Sequence, residues 1–141
     1  MLRYIFPLLV LLFAISSLAG EVEQNYEKAL ATLRAGDRAT AAKEFRRLAR
    51  QYPQHILCGN FHFWTGEALL GLGRTEEALA EFLSAASAKY SNKEAHARFM
   101  VGSCYSRMGK LEAAKTEWLR FIRDFPNDEL TPKVRQRLRL Q

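Results

Sequence analysis

His55, Cys58 and His62 are the residues of this chain whose types and spacing come nearest to a chemical site. They follow one another at steps of 3 and 4, so an unbroken helix would turn all three toward one face. Imidazole and thiolate together suit zinc or copper. Pro53 and Gly59 argue that a loop interrupts that face. A working metal site also needs a fourth ligand and hydrogen bonds that orient the first ones. The expectation is therefore no metal, with a metal- or haem-handling role as the alternative. Motifs for a phosphate loop, H-E-x-x-H, C-x-x-C and C-x-x-C-H do not occur in the sequence. Without them the chain reads as no enzyme and as needing no cofactor.

The elements that must position anything here begin after a distinct leader. Arg3 precedes an apolar run from Tyr4 to Ile15, and Ser16-Ser17-Leu18-Ala19-Gly20 follows. The run is about half the ~20 apolar residues of a membrane-spanning helix. Ser17 and Ala19 fit the small-residue positions of a signal-peptide cleavage site. Residues 1–19 are read as a signal peptide cut after Ala19, and the mature protein as exported to a periplasm. At 141 residues, 48% hydrophobic and 26% charged, the chain fits one globular domain and excludes long disorder. Two Cys are too few for a disulfide framework. Repeat register sets Cys58 about nine helical residues from Cys104, or ~13 Å, beyond the ~7 Å that a bridge tolerates.

Internal similarity is the strongest signal. Gly36, Gly73 and Gly109 stand 37 and 36 residues apart. Each is followed five residues later by Ala (Ala41, Ala78, Ala114) and nine later by an aromatic (Phe45, Phe82, Trp118). Such a period marks a stacked array whose units cannot bury their apolar faces alone. Ala41, Phe45, Leu48 and Tyr52 share one helical face, ended by Pro53; Ala114, Trp118, Phe121 and Phe125 repeat it before Pro126. First helices are expected near Tyr26–Ala35, Phe61–Leu72 and Ala97–Met108, with Thr75 and Thr131 as N-caps of later ones. Gly66 and Gly102, seven residues before a turn Gly, should let paired helices approach, the aromatics filling the space beneath. In the second unit Tyr90 falls one position late and Ser91 replaces the proline.

These residues resemble the tetratricopeptide repeat. Gly66, Gly73, Ala78, Phe82 and Ala85 match its pattern in the second unit. Gly102, Tyr105, Gly109, Ala114 and Pro126 do so in the third, and Ala29, Gly36, Ala41, Phe45 and Pro53 in the first. The resemblance implies an all-α solenoid of three helix-turn-helix repeats (22–58, 59–94 and 95–128) with a capping helix at 131–140. A narrower resemblance is carried by Phe63-Trp64-Thr65-Gly66-Glu67-Ala68 and the endings Arg50-Gln51-Tyr52-Pro53 and Arg123-Asp124-Phe125-Pro126. These look like the repeat domain of YbgF/CpoB-type periplasmic proteins of the Tol–Pal system, without the coiled coil of that group. It implies a scaffold linked to cell division. Similar arrays in outer-membrane, pilus-secretin and cytochrome-maturation assemblies supply the alternatives.

By repeat register the resemblance also implies a concave groove lined by Tyr26, Leu30, Leu33, Arg34, Phe63, Glu67, Leu70, Phe99, Ser103, Ser106 and Arg107. Tyr26, Phe63 and Phe99 form an aromatic row within it, readable either as groove surface or as packing between repeats. The expected partner is another envelope protein or a peptide segment, with no nucleic acid. Lys43, Arg46, Arg47 and Arg50 read as a solvated face. Lys133, Arg135, Arg137 and Arg139 place a basic face on the last helix, whose first role is capping, alongside which it offers a basic patch to an acidic partner or anionic lipid. Membrane contact, if any, would be peripheral and through those four residues.

Overall fold

The computed structural model describes residues 5–140, with side chains from Gly20 onward. Among them are seven α-helices and no strand: α1 (Ile5–Arg34), α2 (Arg38–Gln51), α3 (Cys58–Gly71), α4 (Thr75–Ser87), α5 (Glu94–Arg107), α6 (Leu111–Asp124) and α7 (Thr131–Arg139). Each helix packs chiefly on its neighbours in chain order, so the helices stack as α1–α2, α3–α4 and α5–α6 pairs closed by α7. That is the all-helical solenoid with a terminal helix which the period predicts. The expected signal peptide lies outside the residues whose side chains are described, and Gly20 falls inside α1. No helix among the described residues is long and apolar enough to cross a membrane.

The three turn glycines adopt the left-handed conformation, with φ of +90°, +77° and +74° at Gly36, Gly73 and Gly109. Each turn closes the same way: the residue after the glycine donates its N–H back five residues, as Arg74 does to Leu69 at 3.0 Å and Lys110 to Tyr105 at 2.9 Å. This geometry makes the residue after the glycine the N-cap of the next helix. The cap of α4 is therefore Arg74, not Thr75, which starts the helix proper. Asp37, at the equivalent place before α2, accepts the Thr40 N–H at 3.0 Å.

Thr131 is not a cap either. It is the first residue of α7, buried, with its hydroxyl donating to the Phe125 carbonyl at 2.6 Å, while Asp128 accepts the Leu130 N–H. α3 and α5 each begin three residues before their expected starts. Gly59 does not break α3; its bare Cα faces Ala88 and Ser91, at and just beyond the end of α4 in the same unit, where a Cβ would collide.

The core runs continuously through the stack. Val22, Ala29, Phe45, Leu48 and Phe61 fill its first section. Leu69, Ala78, Phe82, Val101 and Cys104 fill the second, and Trp118, Phe121 and Val134 the third. Gly66 and Gly102 are the close-approach points: a Cβ on Gly66 would lie 2.7 Å from the Phe82 ring, and one on Gly102 would overlap the Trp118 indole. The second unit is irregular where expected. Tyr52 and Phe125, each before a proline, end α2 and α6 in nearly the same conformation. α4 stops instead at an extended Ala88, and Tyr90 is left exposed.

A polar cluster ties the first two units together. Glu81 accepts from Arg46 Nε at 2.7 Å and pairs with His62 Nδ1 at 2.8 Å, joining α4 to α2 and α3. Arg46 thus leaves the solvated stripe expected of it, while Lys43, Arg47 and Arg50 stay exposed. Burial alone would push the Glu81 carboxyl up; the hydrogen bonds and charges of His62 and Arg46 outweigh it and hold the group below its ordinary value. The stability this supplies is complete above the ordinary glutamate value of 4.5 and is lost as pH falls through the lower folded value. Glu81→Gln is expected to destabilise the fold by ~1–2 kcal/mol at pH 6. Its difference from the unsubstituted protein should shrink steadily in urea titrations between pH 5 and pH 3. A constant difference across that range would show that the carboxylate charge carries nothing.

Candidate functional site: a groove along the first helices

Two adjoining cavities run along the face built by α1, α3, α5 and α7. The first, about 370 Å³, is lined by Leu33, Trp64, Glu67 and Leu70, with Arg38 and Arg107 at its sides. The second, about 250 Å³, is lined by Leu70, Phe99, Ser103, Ser106 and Arg107, with Lys133 and Arg137 across from them. Leu70 and Arg107 border both, so the two form one groove with an apolar floor and cationic sides.

Seven of the eleven residues expected in the groove line it: Leu33, Glu67, Leu70, Phe99, Ser103, Ser106 and Arg107. Arg34 is exposed but borders neither cavity, and Leu30 is buried in the first core section. The aromatic row is packing more than surface. Phe63 and Phe99 are 6% and 7% exposed. Phe63 sits edge-on to Phe82 and Trp64, and Phe99 joins the Trp118 core while showing one edge to the second cavity. Tyr26 is half-buried, and its hydroxyl accepts the Trp64 indole N–H at 2.8 Å, which fixes that indole on the groove wall.

Trp64, Arg38, and the Lys133 and Arg137 of the basic last helix line the groove but are not expected there from the sequence. Trp64 directly follows Phe63, which holds the register position that repeats as Tyr26 and Phe99. Arg38 reaches the groove from α2 because Gly71 leaves room for it: a Cβ on Gly71 would run into the guanidinium. Lys133 and Arg137 are one helical turn apart on α7, so they share a face that the capping role did not single out.

Among the described residues, Glu67 is the one carboxylate that lines the groove. Burial pushes it up, against the opposing pull of Arg107. Cys104 is a core thiol pushed up to about 11, by burial first and then by Glu67, against Arg107. Such a thiol stays protonated and unreactive.

His55, Cys58 and His62 all line a separate cavity of about 370 Å³ beside the exposed Ile56 and Tyr90. Cys58 and His62 lie one turn apart, because α3 starts at Cys58. The imidazoles are committed elsewhere, His62 Nδ1 to Glu81 and His55 Nδ1 to the Leu57 N–H at 3.2 Å. Burial pushes the Cys58 thiol up, away from the thiolate a metal prefers. Among the described residues no group of three or more His, Cys, Asp or Glu is arranged to hold a metal ion.

Helical pairs of this geometry, stacked in chain order, define a helical repeat array. Models of the tetratricopeptide-repeat family match residues 26–94 and 96–128, and the chain belongs to that family. No curated protein matches the sequence. Among solved structures, the type III secretion chaperone SycD of Yersinia enterocolitica, in complex with a peptide of the translocator YopD, is similar with a TM-score of 0.75. It is 22% identical, over 86% of this chain and 92% of that one. SycD on its own gives a TM-score of 0.72 at 21% identity, over 87% and 91% of the two chains. At that identity the likeness is one of fold.

Proposed function

We propose that this protein is an exported, non-catalytic scaffold that holds an extended segment of an envelope protein in the groove between α1 and α7. The observation that carries the reading is the groove itself, whose apolar lining runs from Leu33 on α1 through Leu70 on α3 to Phe99 on α5, with the Trp64 indole on its wall. A repeat array offers such a floor to a peptide that lays alternate side chains along it. The crystallised SycD complex, a chain of the same fold with a peptide bound, supports that mode. Export rests on the Arg3 leader and the Ser17-Leu18-Ala19 junction. Within the envelope, the Tol–Pal division role is the specific form of the proposal, and rests on the Phe63–Ala68 segment and the two aromatic-Pro endings.

The test is a photo-crosslinking amino acid placed at Leu33, Leu70 or Ser103, and at the convex, exposed Leu119 as control, in the full chain in its native envelope. The same protein should be captured from the three groove positions and not from Leu119. Capture from Leu119 alone would place the partner on the other surface. Tol–Pal components in the groove adducts would support the division role, and components of another envelope assembly would remove it while keeping the scaffold.

A further inference from the structure

The second half of the groove differs in charge from the first. Arg107 projects from α5, and Lys133 and Arg137 from α7, into one cavity that no carboxylate among the described residues lines. None of the three takes part in an ion pair among the described residues, whereas Arg46, Arg74, Arg98, Arg120 and Arg123 all do. The lysine is positioned by the core below it, its Nζ lying 5.0 Å from the Phe99 ring centroid. Glu67, the nearest acid on the groove, lies in the adjoining cavity. Ser103 offers little to an anion, since its hydroxyl donates to the Phe99 carbonyl at 3.0 Å.

Three cations held around one cavity repel one another, and α7 need not carry Lys133 and Arg137 on this face in order to cap the stack. Buried Val134 and half-buried Leu138 do that. A surface that gathers unpaired guanidinium groups beside an apolar floor complements a ligand that is apolar and then acidic. Granted that the groove holds a peptide, as proposed above, we infer that the peptide carries one or more side-chain carboxylates that settle between Arg107, Lys133 and Arg137, next to apolar residues seated on Leu70 and Leu33. The basic face of α7 thereby divides in two: Lys133 and Arg137 belong to the peptide groove, while Arg135 and Arg139 border a shallow hollow away from it.

The probe is a display library of random 12-residue peptides selected on the full chain, repeated with the Arg107→Gln/Arg137→Gln double variant and with Arg135→Gln/Arg139→Gln. Peptides selected on the unsubstituted protein should be enriched in Asp or Glu beside an apolar position. The best of them, resynthesised, should bind the first variant about tenfold more weakly and the second unchanged. Its Glu-to-Gln counterpart should show the same tenfold loss on the unsubstituted protein and little further loss on the first variant. Selection of apolar peptides with no acidic preference would overturn this inference and leave the groove reading standing. Equal weakening by both variants would reduce the effect to net charge and overturn it too. Failure to select any peptide would instead remove the groove reading, and this inference with it.

Discussion

Trp118→Ala is expected to lower the unfolding free energy by about 3–5 kcal/mol. The indole is 1% exposed and fills the space between α5 and α6. Its Nε1–H points at the Phe99 carbonyl, 3.4 Å away. Gly102 is the other half of the same contact: a Cβ there overlaps the indole, and the side chain in its way is a rigid, buried ring. Gly102→Ala alone should therefore cost ~1–3 kcal/mol by overpacking. In a protein already carrying Trp118→Ala, the methyl group enters a cavity, and its cost should vanish or change sign. Urea denaturation followed by far-UV circular dichroism on the four proteins of this cycle measures the coupling. Additive losses would show that the glycine is not what lets the tryptophan in.

That pair was legible in the sequence because it follows from period alone. Each turn glycine fixes where a helix ends, an aromatic recurs nine residues on, and in the second and third units a glycine seven residues back marks the place where the aromatic needs room. The left-handed turns and the buried Phe45, Phe82 and Trp118 all follow from that register. The groove was legible only in part, for a different reason. Its floor residues Leu33, Leu70 and Ser103 sit at fixed helix positions, and counting finds them. Arg38, Lys133 and Arg137 are long side chains that enter from the neighbouring element, and which way they lean depends on how one unit rotates on the next. A repeat period says nothing about that rotation.

The aromatic row shows the same limit from the other side. A ring at the Phe63 or Phe99 position can face the groove or the next repeat at identical spacing. Here the inward packing of Phe82 and Trp118 draws both rings into the core. The caps at Thr75 and Thr131 were misplaced by one residue because the glycine turn and the Asp128 turn set the start of each helix, overriding side-chain preference.

Leu70→Arg is expected to reduce binding of the groove partner at least about tenfold, with the melting transition nearly unmoved. Leu70 is half-buried, borders both cavities, and stands where the apolar floor passes beside Arg107. An arginine there blocks the passage between the cavities and sets a third guanidinium near Arg107 and Arg38, while its head can still reach water. The contrasting substitution is the pair Phe63→Ala and Phe99→Ala. Both rings are buried, each truncation should cost ~3–5 kcal/mol, and the double variant should lose helicity before any binding can be read. Fluorescence anisotropy with the photo-captured segment, alongside circular dichroism, separates the two behaviours. Unchanged affinity in a folded Leu70→Arg protein would mean that the partner bypasses the groove. A Phe63→Ala/Phe99→Ala protein that stays folded yet loses the partner would return the aromatic row to the binding surface. The ring burial argues for the first pattern: binding lost at Leu70 in a folded chain, and folding lost at the rings.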